Sequence, residues 1–247
     1  MGAIRGLRTL AAQRRPDMAH PIRQDRDARG ELFIWTNIDP AHEDEFNQWY
    51  DREHMAERAA IPGFLWARRY RAQAGPRRYL ALYGTQDLHV FGSAAYRQAF
   101  ENQTQWSLLN FSRMRDTIRR VAAVTTLAGA GTGGAIALLP LADLARAEQA
   151  ARLAAGFQAQ AAGLLALRVL VPDAELSTPL PSEDVTTRVL EPLLVVDAVS
   201  EASAQDAARA LVERLALAPD GAQVFRLLWE LRADDLRCAP PAAGARP

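Results

Sequence analysis

The strands of this chain lack a polar face, and that restricts its possible folds more than any motif does. In 31–38 (ELFIWTNI), Phe33, Trp35 and Asn37 alternate with Leu32, Ile34 and Ile38. In 64–72, Phe64, Trp66, Arg68 and Tyr70 alternate with Leu65 and Ala67. In 79–85, Tyr79, Ala81 and Tyr83 alternate with Leu80 and Leu82. A sheet with helices on one side and water on the other shows apolar-in, polar-out alternation. Here both faces need cover, one from the unit's own helices and the other from a second sheet. The later runs LLALRVLV (164–171) and PLLVVDAV (192–199) carry the same demand.

The order of elements says where that second sheet comes from. A strand over 31–38 is followed by Asp39 and Pro40, a helix N-cap and first-position proline, and a helix from 41 to about 60 closed by Pro62-Gly63. A hairpin (64–72, 79–85), a helical pattern over 87–102, an irregular piece around Trp106 and a strand over 118–127 complete a βαββαβ unit. After the linker AGAGTGG the order repeats: strand 135–141, helix 142–162, strands 164–171 and 193–199, helix 201–217 and strand 223–232. The fold class expected is α+β, with tandem ferredoxin-like domains at 30–128 and 134–235 packed sheet to sheet within one chain. Residues 1–29, arginine-rich without an apolar signal core, are expected to be a disordered extension, with Met18 as an alternative start. Residues 236–247 are expected to be a disordered tail.

Composition removes several classes of function. The chain holds 29 basic residues, all arginine, so lysine Schiff-base chemistry is absent. Its single cysteine, Cys238, excludes a disulfide framework and fits a reducing cytoplasm. Zero formal charge with interspersed signs favours neither nucleic acid nor an anionic membrane as partner. No apolar run reaches spanning length. Gly129-x-Gly131-x-x-Gly134 precedes a strand rather than a helix, so it reads as linker and not as a dinucleotide site. His20, His42, His54 and His89 give no metal-ligand spacing. No metal and no cofactor are therefore expected.

On a regular helix His42, Phe46, Trp49, Tyr50, Glu53 and Glu57 share one arc, with His54 at its edge. The expectation is that Arg68 supplies the counter-charge to those glutamates. All aromatic residues except Phe157, Phe225 and Trp229 lie between Phe33 and Phe111, so any pocket is expected in the first half. There His54 is the candidate general acid or base, and Asn37, Trp49, Tyr50, Trp66, Arg68, Tyr83 and Trp106 are the candidate ligand contacts. The competing reading makes the aromatic face ordinary core and His54 a packing residue.

The string Phe46-Asn47-x-Trp49-Tyr50-Asp51-x-Glu53-His54, with Pro62-Gly63-Phe64, Arg69-Tyr70 and Tyr79-Leu80-Ala81-x-Tyr83, resembles the dimeric α/β-barrel superfamily, and within it the EthD-like proteins. The resemblance covers about 31–127; the second half matches in element order only. It implies an intrachain dimeric α/β barrel, a pseudo-dimer open to further homodimerisation. Activity in that superfamily ranges from cofactor-free monooxygenases and isomerases to haem enzymes and proteins with none. Where haem-degrading members carry their iron ligand this chain has Phe100, which cannot ligate iron. Two functions follow: a cofactor-free enzyme acting on a small organic molecule through His54 by proton transfer or oxygenation, or a non-catalytic binding or assembly module.

Overall fold

The computed structural model describes residues 29–180, 183 and 185–238. The eight expected strands are β1 (Gly30–Ile38), β2 (Phe64–Ala72), β3 (Tyr79–Thr85), β4 (Met114–Gly129), β5 (Ala135–Pro140), β6 (Leu164–Pro172), β7 (Leu193–Ala198) and β8 (Gln223–Arg232). They form one closed antiparallel barrel in the order β1-β3-β2-β8-β5-β7-β6-β4. Read as halves, the order is β4-β1-β3-β2 and β8-β5-β7-β6, the same ferredoxin-like arrangement twice. The two sheets face each other as expected, and their edges are also hydrogen-bonded. One seam pairs β2 with β8, through Tyr70 and Leu227. The other pairs β4 with β6, through Val124 and Leu170.

Closure explains why neither strand face is polar. Phe33, Trp35, Tyr70, Ala72, Leu80, Leu82, Ala122, Ile136, Leu138, Leu170, Leu193, Val195 and Phe225 make one interior cluster to which every strand contributes. Eight strands enclose a space that side chains can just fill. The outer faces carry helices. In the first half these are α1 (Glu43–Trp49), a π-helical turn (Tyr50–His54), α2 (Met55–Ala59), α3 (Ala94–Glu101) and α4 (Gln105–Arg113). In the second they are α5 (Leu144–Gln160) and α6 (Glu201–Leu215), packed with small residues such as Ala147, Ala150, Ala204 and Ala208. A final short helix, α7 (Ala233–Cys238), follows β8.

Three local departures from the expected pattern have physical causes. The piece around Trp106 is helical: Thr104 caps α4 by accepting from Ser107 N at 2.9 Å. Its exposed Leu108, Leu109 and Phe111 break the amphipathic stripe that marks a helix in sequence. In β2 a bulge between Phe64 and Trp66 breaks the alternation. Phe64, Ala67 and Arg69 therefore face the helices, while Trp66, Arg68 and Tyr70 face the interior. In α1–α2 the Met55 N–H bonds to the Tyr50 carbonyl, five residues back, and the extra residue turns His54 inward.

The expected extension 1–29 falls outside the described residues except Arg29, whose carbonyl accepts from Val124 N at 2.8 Å. Of the expected tail, 236–238 belong to α7 and 239–247 lie outside the described residues. No helix among the described residues is long and apolar enough to cross a membrane.

Because the interior belongs to both halves, neither half is complete alone. Calorimetry should give one cooperative transition with equal calorimetric and van 't Hoff enthalpies. Leu82→Ala should lower the stability of that single transition by about 2–5 kcal/mol. Two resolved transitions, with only one moved by Leu82→Ala, would contradict the shared core.

Candidate functional site

The ends of the barrel differ. At one, the turn between β2 and β3 folds over the opening. Trp35 Nε1 donates to Arg77 O at 3.3 Å, and Gln223 Nε2 donates to Ala74 O and Arg77 O at 3.0 and 2.6 Å. Asn37 belongs here. Its Nδ2 donates to Pro76 O at 2.9 Å and its Oδ1 accepts from Arg78 N at 2.9 Å. Asn37 thus pins the plug.

The other end is open. A cavity of about 510 Å³ enters there, lined among others by Glu31, Trp66, Arg68, Gly84, Thr132 and Arg168. Trp66 lies flat across β3 because Gly84 has no side chain; a Cβ on Gly84 would fall inside the indole. Over the indole sits the Arg68 guanidinium, 3.9 Å from the ring centroid. Arg68 Nε donates to Glu230 Oε2 and its Nη2 to Thr132 Oγ1, each at 2.5 Å. Burial pushes the Glu230 carboxyl up, but the hydrogen bond and charge of Arg68 outweigh it and leave it below the usual range.

Deeper in lie Arg168, 6% exposed, and Glu31, 3% exposed. Arg168 Nε is 2.8 Å from Glu31 Oε1, and Nη1 donates to Asp197 Oδ2. Glu31 Oε2, Asp197 Oδ1, Arg168 Nη2 and the Tyr70 hydroxyl have no hydrogen-bond partner among the described residues. Burial pushes the Glu31 carboxyl above its ordinary value, more than Arg168 and Arg68 pull it down. For Arg168, burial is outweighed by the charges of Glu31 and Asp197, and it stays protonated. The Glu31–Arg168 and Arg68–Glu230 pairs join β1 to β6 and β2 to β8 and so link the two halves; Arg168–Asp197 lies within the second.

The candidate contacts named from sequence do not converge. Trp66 and Arg68 line the cavity. Asn37 lies at the plugged end. Trp49, Tyr50, Tyr83 and His54 form a sealed aromatic layer between α1–α2 and the outer face of the sheet. There His54 lies 4.3 Å from Trp49, 5.3 Å from Tyr50, 6.4 Å from Tyr83 and 5.8 Å from Phe111, centroid to centroid. Trp106 is half-buried at the margin of that layer. Glu53 accepts from the hydroxyls of Thr104 (2.5 Å) and Ser107 (3.3 Å), so the expected partnership with Arg68 is absent. The β2 bulge turns Arg69 to that side instead. It stacks 4.0 Å over Tyr50 and donates to Asn47 at 2.9 Å and Asp51 at 3.3 Å.

His54 is 6% exposed, and the cavity does not include it. Burial, then the charges of Arg58 and Arg69, hold its pKa well below the usual 6.5. Its Nδ1 has no hydrogen-bond partner among the described residues; Glu57 Oε2 is 3.9 Å away.

The residues missed from sequence were Glu31, Thr132, Arg168, Asp197 and Glu230. For Arg168 and Asp197 the signal was present: a lone charge inside an apolar strand run, as in LLALRVLV and PLLVVDAV, needs a buried partner; Thr132, uncharged and in the linker, carried none. Among the described residues no group of three or more His, Cys, Asp or Glu side chains is arranged to hold a metal ion.

No protein-family model and no curated protein matches the sequence. Solved structures do match. An anthrone oxidase-like protein is 13% identical, with 86% of this chain and 96% of that chain covered at a TM-score of 0.57. A provisionally named monooxygenase from Fusobacterium nucleatum subsp. nucleatum is 8% identical, with 83% and 94% covered at 0.52. At such identities the likeness is one of fold. The chain has the dimeric α/β-barrel fold, built from two ferredoxin-like units in one polypeptide.

His54 supplies a test of the sealed layer. Its pKa is depressed in the folded state, so its contribution to stability is complete above about pH 6.5, the unfolded value, and is lost as pH falls below it. Thermal melts of the wild type should drop between about pH 7.5 and 5.5 more steeply than those of His54→Phe. The raised pKa of Glu31 acts in the opposite direction but equally in both proteins. Equal slopes would mean that His54 is wet.

Proposed function

We propose that this protein binds a small organic molecule at the open end of its barrel. The observation that carries the reading is the cavity of about 510 Å³ floored by Glu31 and Arg168 and walled by the stacked pair Trp66–Arg68. A flat ring can lie against the guanidinium that Arg68 holds over the indole, and a polar substituent matches the charged floor. The aromatic face of α1 is core in this reading, and the string that resembles EthD-like proteins is a packing motif that builds the π-helical turn.

A second reading keeps His54 as the acid or base of a cofactor-free enzyme. Two observations favour it: π-helical turns are frequent at functional sites, and the turn here delivers His54 with Nδ1 unpaired. It requires the layer of Trp49, Tyr50, Tyr83 and Phe111 to open for a ligand.

Native mass spectrometry of protein purified from its own host, followed by identification of what it carries, tests both. The first reading expects a bound small molecule whose retention Trp66→Ala, by removing the support of the Arg68 guanidinium, weakens by about tenfold, the factor for about 1.4 kcal/mol, and which His54→Asn leaves in place. Retention unaffected by Trp66→Ala, with turnover lost in His54→Asn, selects the second.

A further inference from the structure

We infer that the outer surface over the β2–β8 seam, away from the mouth, holds a second binding site, built from Arg71, Arg78 and Arg226 and suited to a small phosphate-bearing anion.

Strand register brings the first two charges together. β2 and β8 pair so that Arg71 stands directly opposite Arg226. Each alternates with interior residues, Tyr70 and Ala72 on one strand and Phe225 and Leu227 on the other. Both side chains therefore leave the barrel wall on the same, outer side. Like charges directly opposite each other destabilise an antiparallel pair, and this pair sits on one of the two seams that close the barrel. Arg78, from the β2–β3 turn, completes the group. With Gln73 and Glu201 the three arginines line a groove of about 280 Å³.

The neighbouring carboxylates do not neutralise this group. Glu43 lies 3.1 Å from Arg78 Nη1 and 3.7 Å from Arg71 Nη2, and it also accepts from the Tyr79 hydroxyl. One carboxylate is thus divided between two guanidiniums. Glu201 accepts from Gln73 Nε2 at 3.4 Å. It occupies the first position of α6, where the positive end of the helix offsets its charge. The Arg226 side chain has neither a hydrogen bond nor an ion pair among the described residues. The excess positive charge is also within reach of a ligand: the Arg71 and Arg78 side chains are 37% and 44% exposed, and Arg226 is exposed.

A phosphate group presents three acceptor oxygens, one for each guanidinium, and arginine forks match its geometry. The groove leaves room beside it for a second phosphate or the organic part of an ester. Bound there, the anion replaces the repulsion between Arg71 and Arg226 with a bridge, and so ties a strand of the first half to a strand of the second.

The test uses inorganic pyrophosphate and the full chain in low-salt buffer. Equilibrium dialysis should show one saturable site per chain. At about ten times its dissociation constant pyrophosphate should raise the melting temperature by about 3–6 °C, beyond the effect of sodium chloride at the same ionic strength. Arg226→Gln should weaken binding at least about tenfold. Without pyrophosphate it should melt no lower than the wild type, because the like-charged pair is gone. Arg71→Gln should lose the same affinity, and Glu201→Gln should bind more tightly. Arg152→Gln, on α5 beside Glu148, should bind as the wild type does. No saturable binding, a thermal shift that sodium chloride reproduces, or an affinity that both Arg226→Gln and Arg71→Gln leave unchanged overturns the inference. An equal loss in Arg152→Gln also overturns it, because attraction would then be general rather than local.

Discussion

Everything in this structure depends on how four sheet edges are satisfied. A four-stranded ferredoxin-like sheet leaves two edge strands with unpaired amides and carbonyls, and one face too apolar for water. In this chain β2 pairs with β8 and β4 with β6, so all four edges disappear at once. The same closure turns both inner faces into one core shared by every strand. Tandem duplication makes this pairing intramolecular: the second unit is held at high effective concentration by a linker of a few small residues.

Closure also creates a place for charge. Along most of its length the interior is aliphatic and aromatic, and one end is plugged by the β2–β3 turn held by Asn37, Trp35 and Gln223. Ionised residues lie inside at the open end, and at the plugged end Arg120 pairs with Glu183 near the β2–β3 turn. A buried ion pair rarely adds net stability against a well-packed apolar alternative. Hydrophobic residues at 31, 68, 168, 197 and 230 would close the barrel at least as well, which is why the proposed ligand site is placed there. The contrast with the helix layer is physical. There Trp49, Tyr50, Tyr83 and His54 fill their space with mutual ring contacts, and the pKa of His54 is driven down by burial and by two nearby arginines.

The architecture was legible because it rests on periodicity. Strands apolar on both faces, two βαββαβ series and a glycine-rich linker require paired sheets, and the barrel follows. The site was less legible for three reasons. A bulge after Phe64 exchanges the faces of Arg68 and Arg69, and one inserted residue in a strand is invisible to alternation. A π-helical turn moves His54 from the edge of its arc into the core, which a uniform angle per residue cannot anticipate. Two of the ion pairs join residues of different halves, Glu31 with Arg168 and Arg68 with Glu230, and only closure of the barrel brings those together. What the sequence did show was isolated charge within apolar strands, a sign of buried partners that aromatic content overshadowed.

The seams are where the account is most exposed. Amide hydrogen exchange across β2–β8 and β4–β6 measures directly whether the barrel is closed in solution. A closed barrel predicts that amides of these four strands exchange at the slow, globally limited rate of the central strands β1 and β5. Exchange at the seams faster by about a hundredfold or more, with β1 and β5 still protected, would mean two sheets that merely touch, and the shared core and the charged mouth would both lose their basis.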